Sequence, residues 1–280
     1  MSEARPRPAA LAAPALLDAA MGTALQARGL PPEELPEAWI LTRPEEVAAV
    51  HANCAAAGAR VLLTCTFNAT EPRLVTRGLD GKLEALCGWA ERLARPAAGG
   101  ALVAGCLGPS GLPGASATPA ALRQVFARPF RALATAGVDL LWAETHFLLA
   151  EARAALAAGR ATGLPVAVTM AFAAREGALC ALDGTPAAEC LRALAADGAA
   201  AVGVNCVAPS PALAALFREV APGLQVPLAV KPNAGPPGEV LTPEAFAAAL
   251  APSIRAGARL AGGCCGTTGE HLRALGRLMG

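Results

Sequence analysis

Short apolar runs rich in Val, Leu and Ala alternate along the chain with longer stretches in which apolar residues recur at helical spacing. Strands that are buried on both faces have this uninterrupted apolar character. The runs predict eight strands, over residues 15–21, 60–67, 101–107, 139–146, 165–172, 200–207, 224–231 and 258–265.

The stretches between these runs predict helices, and several of them begin with a proline followed by acidic residues, as at Pro44 and Pro243. The main predicted helices cover residues 44–57, 83–95, 119–136, 149–159, 186–196, 211–220 and 242–250. Eight strands separated by helices predict an α/β protein, a single (β/α)8 TIM barrel. A doubly wound open sheet is the alternative, but no glycine-rich dinucleotide fingerprint follows the first strand.

The expected domain organisation is a flexible leader over residues 1–14 and one barrel over residues 15–280. The leader contains several prolines but no apolar core of the signal-peptide type. Two long uncharged stretches, 99–122 and 198–216, are interrupted by Gly, Pro, Ser and Asn, so they predict buried strands with loops rather than membrane spans.

Composition narrows the functional class. The 280 residues are 54% hydrophobic and 16% charged, with a net charge of +1 and no basic run, so we expect a small-molecule ligand rather than nucleic acid or a membrane surface. The nine cysteines form an odd set without a secretory signal, which favours a reducing cytoplasm over a disulfide framework.

Two adjacent cysteines, Cys264 and Cys265, end the last apolar run. Neighbouring side chains on a regular strand point to opposite faces, so two thiolates converge on one metal only where the backbone leaves strand geometry. Nearby glycines permit that departure: Gly262, Gly263 and Gly266. Cys206 ends another apolar run, and three cysteines suggest an open zinc site. The alternative is a buried apolar pair or an oxidisable dithiol.

Other polar residues also fall at the carboxyl ends of predicted strands, where barrels carry their active sites. Glu144 follows an apolar run and is costly to bury without a ligand cation or a hydrogen-bond donor. Lys231 could instead be the Schiff-base lysine of an aldolase-like barrel. The role of His146, in a pocket or in a structural hydrogen bond, stays open, and Cys65 is a candidate pocket wall.

Taken together, the strand-end motifs resemble those of the homocysteine S-methyltransferase family over residues 16–275. The similarity is greatest to the homocysteine-binding domain of cobalamin-dependent methionine synthase. The motifs, in the family's order, are Asp18-x-Ala20-Met21-Gly22-Thr23, Thr64-x-Thr66-Phe67, Gly108-Pro109-x-Gly111, Glu144-Thr145, Asn205-Cys206, Pro232-Asn233-Ala234-Gly235 and the glycine-flanked cysteine pair with Thr267 and Thr268.

The resemblance implies a Zn²⁺ ion bound by Cys206, Cys264 and Cys265, with Asn233 in the fourth position when homocysteine is absent. A zinc-bound homocysteine sulfur is a thiolate, and transfer of a methyl group to it gives methionine.

The resemblance also implies the contacts of the homocysteine head group. Glu144, with Asp18 or the backbone beside it, would receive the ammonium, and amides near Gly108 and Ser110 would bind the carboxylate. The sequence departs from the family pattern at four positions, which leaves the detail of the pocket open: Ala19, Cys65, Lys231 and Gly269.

The expected methyl donor follows from two features of the sequence, its length after the eighth predicted strand and its few aromatic residues. It ends soon after the eighth predicted strand, so we expect no folate or cobalamin domain on it. A quaternary ammonium donor needs an aromatic or acidic cage, and the chain has no tyrosine and three tryptophans, of which only Trp142 lies near a strand end. We therefore expect methylcobalamin or a separate methylcorrinoid protein as the donor.

Three other donors remain alternatives: betaine, S-methylmethionine and S-adenosylmethionine. An alternative of another class is a non-catalytic zinc and homocysteine module that docks on a corrinoid protein. Methionine formation would separate the two classes. The oligomeric state and the pathway stay open.

Overall fold

Eight parallel strands form a barrel in the computed structural model, which describes residues 11, 14–175, 177–235 and 239–279. The strand order is β1-β10-β9-β8-β5-β4-β3-β2, and a parallel bridge between Leu17 and Val61 brings the first and last of these together. The strands are β1 (Ala15–Leu16), β2 (Val61–Leu63), β3 (Leu102–Leu107), β4 (Leu140–His146), β5 (Val166–Met170), β8 (Ala201–Asn205), β9 (Leu228–Lys231) and β10 (Ala258–Ala261). The predicted (β/α)8 fold is confirmed.

Helices cover the outside of the barrel and connect its strands. Three of them begin after Thr118, Ser210 and Thr242, whose hydroxyl groups each accept an amide hydrogen of the first turn. The helices are α1 (Gly22–Gln26), α2 (Trp39–Thr42), α3 (Pro44–Ala56), α4 (Glu71–Val75), α5 (Leu83–Ala98), α6 (Pro119–Ala136), α7 (Leu149–Arg160), α8 (Ala187–Ala196), α9 (Pro211–Val220), α10 (Pro243–Arg255) and α11 (Gly269–Met279).

The predicted and observed elements differ mainly in the loops. Helices α6 and α9 have the predicted bounds. The short helices α1, α2 and α4 were not predicted, nor was the antiparallel hairpin of β6 (Ala173–Arg175) and β7 (Ala178–Cys180). Most predicted strands are too long at the carboxyl end, because the apolar run continues into the loop that carries the site.

The barrel interior and the outer layer form two apolar clusters. The interior cluster includes Leu17, Leu63, Trp142 and Leu260, whereas large side chains such as Phe126 pack between strands and helices. Residues 1–14, the expected leader, lie outside the described residues except for Leu11 and Pro14. Leu11 is fully buried in the interior cluster. None of the described helices is long and apolar enough to span a bilayer.

Alternation along the strands makes the carboxyl end of the barrel interior polar. On β4, Leu140, Trp142 and Glu144 share a face, and the first two belong to the interior cluster. On β8, Ala201 belongs to that cluster and Asn205 lies two steps beyond Gly203 on the same face. The same pattern that fills the barrel with apolar side chains therefore delivers polar ones to its carboxyl end.

Gly203 tests the packing of this interior. A Cβ atom at this position would overlap the backbone carbonyl of Ala229 on the neighbouring strand. We expect Gly203→Ala to lower the free energy of unfolding by at least about 2 kcal/mol in urea titrations. Gly223→Ala is the control, because its Cβ would meet nothing within 4 Å; it should change stability by less than about 0.5 kcal/mol. Equal stability of the two variants would contradict this account.

Candidate active site

Three cysteines converge at the carboxyl end of the barrel. Cys206 follows β8, and Cys264 and Cys265 follow β10; their sulfur atoms all lie within 4.8 Å of one another. The Sγ atoms of Cys264 and Cys265 are 4.0 Å apart. All three side chains are partly exposed, so a ligand can reach the sulfurs. Their geometry suits a single metal ion.

The backbone leaves strand geometry at Cys206 and beside the cysteine pair. Cys206 has φ +57°, a left-handed conformation that is unusual for a residue with a side chain and is typical of functional sites. Gly266 has φ +80°. At Gly263 the limitation is space, because a Cβ atom there would overlap Thr267. The departure from strand geometry that was predicted beside Cys264 and Cys265 is therefore present. A second departure, which was not predicted, occurs at Cys206.

Strand β9 fixes both cysteine loops. The amide of Cys206 donates to the carbonyl of Lys231 (3.1 Å), and the amide of Cys264 donates to that of Pro232 (2.8 Å). Asn233 completes the connection: its Oδ1 accepts from the amide of Cys265 (3.1 Å), and its Nδ2 lies 4.0 Å from the Sγ of Cys206. Asn233 thus orients two of the cysteines.

The three thiols share their protons unequally. The neighbouring thiols of Cys206 and Cys264 lower the pKa of Cys265, whereas the neighbouring thiol of Cys264 raises the pKa of Cys206. The grouping of the three sulfurs therefore favours loss of a proton from the cluster. An anionic sulfur cluster is suited to bind a cation.

A buried ion cluster lies next to the cysteines. The ammonium of Lys231 is 2.8 Å from Oδ1 of Asp18 and 3.7 Å from Oε2 of Glu144. The other carboxylate oxygen of Asp18 accepts the amide hydrogen of Leu63 (2.7 Å). Both oxygens of Asp18, which was expected to receive a substrate ammonium, therefore already have partners within the protein.

The charge state of Lys231 separates two functional interpretations. Burial would lower its pKa, but the charges of Asp18 and Glu144 outweigh burial and raise it. A Schiff-base lysine needs a lowered pKa to be a free amine near neutral pH. The 2.8 Å contact with the Asp18 carboxylate instead favours the protonated ammonium, which argues against the aldolase-like alternative.

Glu144 is held by groups from two other strands. Its Oε1 accepts the thiol hydrogen of Cys106 (3.2 Å), and its Oε2 lies 3.5 Å from the side-chain Nδ2 of Asn205. The Oδ1 of Asn205 also accepts the backbone amide hydrogen of Thr145 (2.9 Å). This hydrogen bond stabilises the left-handed conformation of Thr145, whose φ is +64°. Burial raises the pKa of Glu144, and the Lys231 charge opposes this. Cys106 thus supports a carboxylate rather than acting as a further metal ligand.

The predicted carboxylate site at Gly108 and Ser110 has a different role in the structure. The amide of Gly108 donates to the carbonyl of Phe67 (2.8 Å), and the amide of Ser110 donates to the carboxylate of Glu151 (2.9 Å). Both amides therefore have partners within the protein, and the expectation that amides of this loop bind the substrate carboxylate stays a prediction.

His146 has a structural role in the same region. It is fully buried, packs edge-on against Phe126, and its Nδ1 lies 3.5 Å from Oε2 of Glu151. Burial raises the pKa of Glu151, but His146 and the hydrogen bonds from Ser110 lower it to about 2. The charged Glu151 thus joins the loop after β3 to the end of β4.

A cavity of about 280 Å³ opens beside the cysteines and the ion cluster. Its wall also includes Glu37, Phe67 and Asn68, which sequence reasoning did not select as site residues. Glu37 is fully buried, and its carboxylate accepts hydrogen bonds from the amide (2.6 Å) and side chain (3.2 Å) of Asn68. The sequence signal that could have indicated a buried Glu37 is its position two residues before the apolar pair Trp39 and Ile40.

Two other sequence candidates are also placed by the structure. Cys65 is buried and lines the cavity, as expected for a pocket wall. Trp142 lies in the barrel interior, where its indole nitrogen donates to Thr169 (3.2 Å), and it is not among the residues that line the cavity. Among the described residues, Phe67 is the one aromatic side chain of the cavity wall.

Comparison with known proteins identifies relatives over nearly the whole chain. The family model described as homocysteine S-methyltransferase matches residues 15–279. The homocysteine S-methyltransferase of Escherichia coli is 36% identical over 296 residues, covering 93% of each chain. The mouse betaine–homocysteine S-methyltransferase 1 is 34% identical and covers 86% of this chain and 65% of that one. The crystal structure of the E. coli homocysteine methyltransferase MmuM in its metallated form superposes with a TM-score of 0.79, at 32% identity, over 93% of this chain and 94% of that one.

Glu151 provides a test of the loop that borders the site. Its pKa of about 2 lies below the ordinary value of 4.5, so its stabilisation is complete above about pH 4.5 and is lost as the pH falls towards 2. We expect Glu151→Gln to lower the free energy of unfolding by about 2 kcal/mol at pH 7 and by roughly half as much at pH 3. Exposed Glu33, changed to Gln, is the control. A loss that is independent of pH would contradict the charged role of Glu151.

Proposed function

The chain belongs to the homocysteine S-methyltransferase family, and from this premise we propose that it methylates the thiol of homocysteine at a zinc ion held by Cys206, Cys264 and Cys265. The product would be methionine. The observation that carries this proposal is the convergence of three sulfurs within 4.8 Å beside a cavity with a buried carboxylate.

The donor set fits zinc. Zinc bonds to thiolate sulfur at about 2.3 Å, which places two sulfurs of a tetrahedral site about 3.8 Å apart. The 4.0 Å separation of Cys264 and Cys265 is close to that value. Three protein ligands leave a fourth position, which is the pattern of catalytic rather than structural zinc sites. A bound zinc would lower the pKa of the homocysteine thiol, so that the sulfur is a thiolate at neutral pH.

The protein groups around the cavity supply orientation. Glu144 would receive the substrate ammonium, since its carboxylate lines the cavity and its other contacts hold it in place. Asn233 would keep the sulfurs of Cys206 and Cys265 directed at the same point. The thiolate then attacks the methyl carbon of the donor, a carbon–sulfur bond forms, and the donor atom leaves with the bonding electrons. Membership of an enzyme family argues against a non-catalytic zinc module.

For the methyl donor, we retain methylcobalamin or a methylcorrinoid protein as the first candidate. A quaternary ammonium group is best bound by several aromatic rings, whereas the described cavity wall offers Phe67 alone. A methylcorrinoid needs no such cage, because its methyl group is bonded to cobalt and is not part of an organic cation.

A sulfonium donor is the second candidate, and two observations favour it. A mouse relative, 33% identical over 86% of this chain, is named as an S-methylmethionine–homocysteine S-methyltransferase. In addition, the carboxylate of Glu37 lies on the cavity wall, where it could attract a cation. The two candidates differ in a directly measurable way.

The zinc proposal is tested by metal analysis of the purified, reduced protein. We expect about one Zn²⁺ per chain, and a large loss of zinc in Cys206→Ala, Cys264→Ser and Cys265→Ala, because each removes one of three sulfur ligands. Cys180→Ser is the matched control, because Cys180 lies on the β6–β7 hairpin and is not one of the three ligands. The Cys180→Ser protein should therefore retain its zinc. Full zinc content in all three ligand variants would reject the site.

The donor proposal is tested by supplying methyl donors in parallel. Zinc-loaded protein is incubated with homocysteine and with methylcobalamin, betaine, S-methylmethionine or S-adenosylmethionine, and methionine is quantified. We expect methionine from methylcobalamin. Turnover with a sulfonium donor and none with methylcobalamin would reject the corrinoid candidate in favour of the second one, and turnover with betaine alone would reject both. Cys264→Ser serves as the inactive control with every donor.

A further inference from the structure

Lys231 has hydrogen-bonding capacity that the protein does not use. Its side chain is about 4% exposed and it lines the cavity beside Cys206 and Cys264. An ammonium group has three N–H donors, and the one hydrogen bond that Lys231 makes in the described structure goes to Asp18. The 3.7 Å separation from Glu144 is an ion-pair distance, longer than a hydrogen bond.

An unused donor on a buried ammonium favours a ligand that brings an acceptor into the cavity. A buried donor without an acceptor costs free energy, and the cost is larger for a charged group. The amides of Gly108 and Ser110 already donate to Phe67 and Glu151, whereas two of the three donors of Lys231 have no hydrogen bond in the described structure.

The charges on this wall complement an amino-acid head group. An α-amino acid carries a carboxylate and an ammonium on the same carbon, so its opposite charges are a few bond lengths apart. Lys231 and Glu144 present opposite charges 3.7 Å apart, within the cavity that the cysteine sulfurs also line. The cysteine sulfurs and the two opposite charges therefore border the same cavity.

We propose that Lys231 binds the carboxylate of the thiol substrate and so selects substrates that carry a carboxylate next to the ammonium held by Glu144. Asp18 is then a positioning residue, because its two oxygens fix Lys231 and the end of β2. The inference rests on the proposed methylation of homocysteine and assigns to one residue the recognition of one substrate group.

The test compares the binding of three thiols to zinc-loaded protein by titration calorimetry. L-Homocysteine has both head-group charges, 4-mercaptobutyrate lacks the ammonium, and 3-aminopropanethiol lacks the carboxylate. Changing Lys231 alone would leave the Asp18 carboxylate buried without its partner. The double variant Asp18→Asn/Lys231→Met therefore removes both charges together, with Asn able to accept the amide hydrogen of Leu63.

We expect the double variant to bind homocysteine and 4-mercaptobutyrate about ten- to a hundredfold more weakly, as for a lost charge-assisted hydrogen bond. Its affinity for 3-aminopropanethiol should stay within about threefold of the wild-type value. Glu144→Gln should show the reverse pattern, with weaker binding of homocysteine and 3-aminopropanethiol and retained binding of 4-mercaptobutyrate. Asp18→Asn alone, which keeps the Lys231 ammonium, should retain most of the affinity for 4-mercaptobutyrate.

The outcomes separate the failure of this inference from failure of the proposed function. An equal loss for all three thiols, or no loss, in a double variant with full zinc content would overturn the role of Lys231 and leave the methyltransferase proposal standing. Zinc-loaded wild-type protein that binds none of the thiols would reject homocysteine binding at this site, and the role of Lys231 with it.

Discussion

Two carbonyl groups at the end of β9 hold the site together. The carbonyls of Lys231 and Pro232 accept the amide hydrogens of Cys206 and Cys264, so one strand end fixes the loops that follow its two neighbours in the barrel. Without these hydrogen bonds, nothing in the local sequence would bring Cys206 near a cysteine pair almost sixty positions away. The geometry of the sulfurs thus depends on backbone hydrogen bonding of the strand between them, and the left-handed conformation of Cys206 is tolerated because this contact fixes it.

The same strand end supplies the charge that makes the carboxylates compatible with burial. Asp18 and Glu144 are both buried, and burial raises the pKa of each. One ammonium between two carboxylates keeps the cluster from holding two uncompensated negative charges in a region of low dielectric constant. Such a cluster contributes little to stability, since desolvation of three charges opposes their attraction. Both carboxylates line the cavity, and Asp18 fixes Lys231 through a 2.8 Å hydrogen bond.

The cavity combines three kinds of chemistry around a small volume. The three sulfurs are candidate metal ligands, the Lys231 and Glu144 pair provides opposite charges, and Glu37 and Phe67 form another part of the wall. The E. coli relative superposes over 93% of this chain, so the two proteins share the barrel fold.

Local pattern was sufficient for the barrel strands, the main helices and the positions of the cysteines. Uninterrupted apolar runs and helical spacing depend on residues within a few positions of each other, which is why α6 and α9 have the predicted bounds and why Cys206, Cys264 and Cys265 could be placed at strand ends. The family is also decided by motifs that are visible in the sequence, and the comparisons confirm it.

Only the tertiary structure decided the partners of the polar groups. Asp18 and Lys231 are 213 positions apart, and the sequence contains no signal that the lysine would occupy a carboxylate predicted to bind substrate. The hydrogen bond of Ser110 to Glu151 and that of Asn68 to Glu37 likewise join residues 41 and 31 positions apart in the chain. Hydrogen bonds and charges act over a few ångströms in space, whereas sequence patterns report only on neighbours along the chain; which polar groups meet is therefore fixed when the barrel closes.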